Sequence, residues 1–235
     1  MSKNKTMIII AVLLFLIGVC LLLIDPIKNM MRDEKTDEAL QIFEENLNMT
    51  LGDDSVITFV VPAKGNEING EGYDLFDVVD EAAQSAHESA LEELPDDVTL
   101  TYVGIIEIES VDIKIPIWDS TSVVALRYGA GKYEESAYPG EGKNCTILGH
   151  RMRAEGKLFH SLGEVKLDDV IRITLTDGKE MVYVVDQIET IVPEDLENYI
   201  MADCSDTERL TLVTCTPLGN PTHRLIVIAH PLGEN

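Results

Sequence analysis

The chain reads as mainly all-β, a closed barrel or sandwich of short strands behind a helical N-terminal stretch. Three observations predict this. From Val98 onward, apolar β-branched runs recur between Gly, Pro, Asp and Ser punctuation with little helical periodicity. Asp177-Gly178 joins two such runs and is a strong hairpin signal. Ahead of Val98 the texture differs, with one unbroken apolar run and then acidic segments of helical spacing.

A short tail, residues 1–6, precedes the apolar run Met7–Ile24. At about 1.5 Å per residue, a helix of that length nearly crosses a hydrocarbon core of about 30 Å. Asp25-Pro26 is expected to close it, and no small-x-small cleavage site follows. The expectation is therefore an uncleaved single-pass transmembrane anchor over 7–24. Lys3 and Lys5 on one side and Lys28, Arg32 and Lys35 on the other do not set its orientation. The very short tail ahead of a long polar domain favours export, placing the protein at the cell membrane with that domain extracellular.

Residues 25–97 are expected to form an extracellular stalk. Thr36 to Leu51 sets Ala39, Leu40, Ile42, Phe43 and Leu47 at roughly helical spacing. The stretch 52–72 reads as mostly irregular, with the apolar run Val56–Pro62 inside it. A second helix is predicted from Tyr73 or Asp77 to Leu94, and Pro95-Asp96-Asp97 ends it. Residues 98–235 form the β domain. Its strands are predicted at Val98–Glu109, Ile113–Trp118, Asn144–Gly149, Val170–Thr176, Glu180–Ile191, Leu210–Cys215 and Arg224–His230. Short helical pieces are predicted at Val123–Tyr128 and Leu158–Leu162.

The formal net charge of -24 argues against a nucleic-acid partner, because phosphate contacts need Lys and Arg; it reads as a solubilising surface. Of four cysteines, Cys20 lies in the apolar run and Cys145, Cys204 and Cys215 lie outside it. Three thiols cannot all pair within one chain, so an exported domain keeps one to use or to dimerise through. Cys145 and Cys204 read as packing thiols, with a disulfide between them left open.

The last two strands carry the chemistry. If they pair antiparallel across the connector Thr216–His223, Cys215 ends one and Arg224 begins the next. A nucleophile beside a fixed positive charge points to acyl transfer. A thiol with an ordinary pKa near 8.5 needs a partner to move its proton, and His is the usual choice. His150 follows Ile147-Leu148-Gly149 at a strand exit, while composition alone leaves His87, His160, His223 and His230 open as well.

Thr211-Leu212-Val213-Thr214-Cys215, with Arg224 nine positions later and Leu148-Gly149-His150 ahead of it, resembles the sortases, membrane-anchored cysteine transpeptidases of Gram-positive surfaces. The resemblance covers about Val98 to Pro231 and implies a closed eight-stranded sortase-like barrel. It also implies Cys215 as nucleophile, His150 as general acid and base, and Arg224 as the donor that stabilises the oxyanion or positions substrate. Thr214 is implied to line the substrate groove. The implied substrates are surface proteins or pilins with a C-terminal sorting signal similar to Leu-Pro-x-Thr-Gly, cleaved between Thr and Gly. An amine of a cell-wall precursor or a pilin lysine would resolve the thioester.

Thr214–Pro217, Thr222-His223-Arg224 and Lys157-Leu158-Phe159 look closest to the pilin-type class C enzymes. Asp74 and Phe76 lie where such enzymes carry a lid, without the expected Pro, and no second membrane segment follows the barrel. No cofactor is implied. The acidic loop Glu194-Asp195-Leu196-Glu197 lies in the region where some sortases bind calcium, and no metal ligand is assigned there. The alternative reading is a non-catalytic surface scaffold that keeps the fold. A papain-like protease is disfavoured because His150 precedes Cys215.

Overall fold

The computed structural model describes residues 2–49, 56–64, 94–152, 156–202 and 207–233. Helix α1 spans Ser2–Met49. The strands are β1 Thr58–Pro62, β2 Asp97–Ile108, β3 Ile113–Trp118, β4 Ala130–Lys132, β5 Asn144–Leu148, β6 Val170–Leu175, β7 Glu180–Ile191, β8 Arg209–Thr216 and β9 His223–Pro231. A short helix α2, Val123–Tyr128, joins β3 to β4, and α3, Leu196–Ile200, lies between β7 and β8.

Sheet order is β1-β2-β3-β4-β5-β8-β9-β7-β6, and β6 pairs back onto β2. Strands β2 to β9 therefore close into an eight-stranded barrel, which removes every free edge among them. The far half of β2, Asp97–Thr101, carries β1 as an added antiparallel strand. Aliphatic side chains at alternate positions fill the barrel, among them Ile106, Ile117, Ile147, Ile173, Leu212 and Val227. Burying each contributes about 1.5–3 kcal/mol.

Strands β3 and β7 and helix α2 lie at the predicted bounds, β5 and β6 each end one residue earlier, and β2, β8 and β9 shift by one residue at both ends. β1 and β4 were not predicted as strands. β4 is three residues long, Ala-Gly-Lys, and is defined by its neighbours: it pairs parallel to β3 and antiparallel to β5.

α1 departs from expectation twice. It runs through Asp25-Pro26 rather than stopping there; a proline removes one backbone bond, and a long helix keeps the rest. Among the described residues no helix is long and apolar enough to cross a membrane, so the transmembrane helix expected at 7–24 is not found as such. The segment expected as a stalk helix docks on the barrel. Ala39 and Phe43, one turn apart, pack into a second core with Phe59, Tyr102, Trp118 and Tyr128. The Tyr102 hydroxyl donates to the Ala39 carbonyl at 2.8 Å, and the Tyr102 and Trp118 rings lie 4.5 Å apart. Among the described residues the buried Trp118 Nε1–H has no hydrogen-bond partner. Asp74, Phe76, His87, Cys204 and the predicted second helix lie outside the described residues.

Candidate active site

Three neighbouring strands build the site. β5 pairs parallel to β8, with Leu148 opposite Val213, and β8 pairs antiparallel to β9, with Cys215 opposite Arg224. Along β8, Leu210 and Leu212 point into the barrel while Val213 and Cys215 belong to an outer cluster. Along β9, Leu225 and Val227 point inward and Ile226 and Ile228 outward. By the same alternation Arg224 faces outward, and as cross-strand partners Cys215 and Arg224 stand side by side.

His150 lies two residues past the end of β5. Gly149 N–H donates to the Val213 carbonyl at 3.1 Å, and the Thr214 hydroxyl donates to the Gly149 carbonyl at 2.6 Å. His150 thus follows the end of β5 where Cys215 nears the end of the paired β8. Gly149 is required here because a Cβ on it would lie 2.5 Å from Cδ2 of the Phe159 ring. Phe159 in turn donates its N–H to the His150 carbonyl at 3.1 Å. The structure therefore sets Cys215 and Arg224 side by side on β8 and β9 and places His150 just past the end of the adjoining β5.

All three are enclosed: His150 is 4% exposed, Cys215 8% and Arg224 5%. Burial pushes the Cys215 thiol up, and the Arg224 guanidinium, then that of Arg151, pull it back down. A thiol whose ionisation burial opposes needs a base beside it to take its proton before the sulfur can act as a nucleophile. Leu148, Val213, Ile226 and Ile228 form an apolar floor, with Leu126 of α2 and Leu196 of α3 against it. α3 is tied down by Asn144, whose Nδ2 donates to the Tyr199 carbonyl at 3.0 Å and to that of Ile200 at 3.2 Å.

Thr214 lies elsewhere than expected. Strand alternation turns it to the face opposite Cys215, and it is fully buried, so it has no surface to line a groove. Its hydroxyl is instead the tie to Gly149. Among the other histidines, His160 Nδ1 lies 2.7 Å from the Met152 carbonyl and His223 Nδ1 lies 2.8 Å from the Thr222 hydroxyl. His230 sits at the far end of β9, its Nδ1 2.7 Å from Asp186 Oδ2. Cys145 is fully buried inside the barrel, where desolvation pushes its thiol up to about 12. That describes a packing thiol rather than a nucleophile. Glu194 and Asp195 form a 3-10 turn ahead of α3. Among the described residues no group of three or more His, Cys, Asp or Glu is arranged to hold a metal ion. Arg151, to which sequence reasoning gave no role, donates from Nη1 to the Thr216 hydroxyl at 3.1 Å. The one signal for it was its place next to His150.

A family model for the Sortase domain matches residues 106–232. Sortase D of Bacillus subtilis (strain 168) is 31% identical over 127 residues, 53% of this chain and 61% of that protein. The chain spans little more than half the length of the curated relatives it matches. A solved Clostridium perfringens Sortase D5 transpeptidase is 27% identical with a TM-score of 0.50, over 64% of this chain and 89% of that one. The pilus-related Sortase C of Group B Streptococcus is 28% identical with a TM-score of 0.52, over 62% of this chain and 72% of that one.

Proposed function

Because the chain belongs to the sortase family, we propose that it is a cysteine transpeptidase that cleaves a C-terminal Leu-Pro-x-Thr-Gly-like sorting signal between Thr and Gly. The observation that carries this reading is the outward-facing cross-strand pair Cys215 and Arg224, with His150 just past the end of the neighbouring β5.

The Cys215 sulfur attacks the scissile carbonyl carbon while His150 accepts the thiol proton. The carbonyl oxygen takes up negative charge, and the Arg224 guanidinium, charged at any working pH, stabilises it. The C–N bond breaks, His150 returns the proton to the departing amine, and a thioester remains on Cys215. An incoming amine then attacks the thioester and loses a proton to His150, the C–S bond breaks, and the departing Cys215 sulfur takes that proton back as the thiol. Splitting the exchange in two avoids direct attack of an amine on an amide. The apolar floor around Cys215 disfavours water as the second nucleophile.

The acceptor is an amine of a cell-wall precursor or a pilin lysine. The Thr214–Pro217 run and the likeness to a pilus-related Sortase C favour the pilin side. In this reading the apolar run 7–24, with Ile10, Leu14 and Phe15 exposed, holds the enzyme at the membrane surface, and the barrel lies outside the cell.

The test is incubation of the full chain in detergent with a sorting-signal peptide and hydroxylamine, read by mass spectrometry. A hydroxamate at the Thr carboxyl, abolished by Cys215→Ala with the circular dichroism unchanged, is the expected result. If no peptide of a sorting-signal panel gives a hydroxamate or a thioester adduct, the scaffold reading stands instead.

A further inference from the structure

Arg151 is the residue after His150, yet its side chain does not stay with its own strand. Nη1 donates to the Thr216 hydroxyl at 3.1 Å, on the residue directly after Cys215. Nε donates to the His160 carbonyl at 3.2 Å, in the 3-10 turn His160–Glu164. The slot that admits the guanidinium exists because position 163 is glycine: a Cβ there would lie 2.1 Å from Arg151 Nη2. The backbone at Arg151 also bridges Leu158, closing the loop between His150 and the turn. One side chain thus joins three segments that meet at the site: the exit of β5, the exit of β8 and the turn beyond.

We propose that Arg151 is a positioning residue of this site: its guanidinium straps the chain immediately after Cys215 to the turn that follows His150 and keeps a second positive charge at the residue next to the thiol. The inference rests on the reading of Cys215 as the nucleophile. A planar fork suits the task, because two donors on one rigid group fix an angle as well as a distance, which a lysine ammonium does not. Arg224 reaches Cys215 as its cross-strand partner on β9, and Arg151 approaches it through the neighbouring Thr216. Of the two guanidiniums, Arg224 offsets the burial of the thiol more and Arg151 less. The two half-tasks are separable, since charge acts on the ionisation of the thiol and the strap acts on the geometry of attack.

The experiment follows alkylation of Cys215 by iodoacetamide across pH in the full chain, with peptide mapping to separate Cys215 from the other cysteines, alongside kcat and KM with a sorting-signal peptide. Alkylation reads the thiol without any substrate, so a failure here is distinct from a failure to turn over a sorting signal. Arg151→Met is expected to move the alkylation midpoint upward by about half a pH unit or more. Arg151→Lys should restore the midpoint while kcat stays low. Thr216→Val keeps both charges and removes the acceptor of the strap, and should lower kcat several-fold with the parental midpoint and an unchanged KM. Gly163→Ala fills the slot and should do the same, which keeps the test available should Arg151→Met fail to fold. A parental midpoint in Arg151→Met overturns the electrostatic role, and parental kcat in both Thr216→Val and Gly163→Ala overturns the strap.

Discussion

The Thr214 hydroxyl donates to the Gly149 carbonyl at 2.6 Å, joining the residue before Cys215 to the residue before His150. Neither partner bears on the chemistry directly. Together they fix how far along its strand each reactive side chain emerges.

Thr214→Val keeps the shape of the side chain and removes the donor, leaving the Gly149 carbonyl unsatisfied in a fully buried place. The expected cost is about 1–2 kcal/mol of stability, read as a lower chemical-denaturation midpoint, together with a fall in peptide turnover. Thr214→Ser retains the hydroxyl and should retain most of both; a Thr214→Ser enzyme as impaired as Thr214→Val would show that the hydrogen bond is not what matters.

Gly149→Ala drives a methyl group into the Phe159 ring, with contacts of 2.5 and 2.7 Å to Cδ2 and Cε2. Overpacking of this kind costs about 1–3 kcal/mol. Since Phe159 also donates to the His150 carbonyl, turnover should fall with stability. Adding Phe159→Leu should recover part of the loss, a positive coupling that a double-mutant cycle measures.

Arg224→Ala should lower kcat/KM by about a hundredfold to a thousandfold, the usual scale for losing one oxyanion donor. Arg224→Lys keeps the charge without the fork and should fall between the two. Steady-state kinetics with a fluorogenic sorting-signal peptide checks the order, and a lysine variant no better than alanine would remove charge from the explanation.

Cys145 gives a pH dependence of stability with a definite sign. Its folded pKa, about 12, lies above the ordinary value of 9.0, because the barrel interior disfavours a thiolate. The folded state therefore holds this proton where the unfolded chain gives it up, so the contribution is complete below pH 9 and is lost as pH rises toward 12. Cys145→Val should show a shallower decline than the parent over that window in denaturant titrations. Parallel declines would mean that the thiol is not a source of the alkaline instability.

Phe43→Ala should destabilise the protein by about 3–5 kcal/mol, because Phe43 is 1% exposed at the seam between α1 and the barrel. Thermal unfolding checks this. A change near zero would mean that α1 contributes no binding energy to the barrel.

How much was legible depended on whether a local pattern encoded the feature. β8 and β9 are runs of β-branched residues with a Pro/Gly connector, and their antiparallel register followed from the sequence once Cys215 and Arg224 were set opposite each other. β4 had no such pattern: Ala130-Gly131-Lys132 becomes a strand because β3 and β5 supply partners on both sides. The Val56–Pro62 run reads as apolar within an irregular stretch, and its partner, the start of β2, is far away in sequence. The groove role of Thr214 comes from the family resemblance alone, whereas period-2 alternation sends it and Cys215 to opposite faces. Arg151 was missed because its partners, Thr216 and His160, are set by tertiary structure and by the absence of a side chain at Gly163.

The chain contains a single tryptophan, and Trp118 sits fully buried in the second core, between Tyr102 and Phe59 and beneath α1. The protein therefore carries its own optical probe at the junction of helix and barrel. Tyrosine-to-tryptophan energy transfer from Tyr102 and the emission colour of an unsolvated indole report whether α1 is seated, in vesicles as readily as in solution, with no label attached.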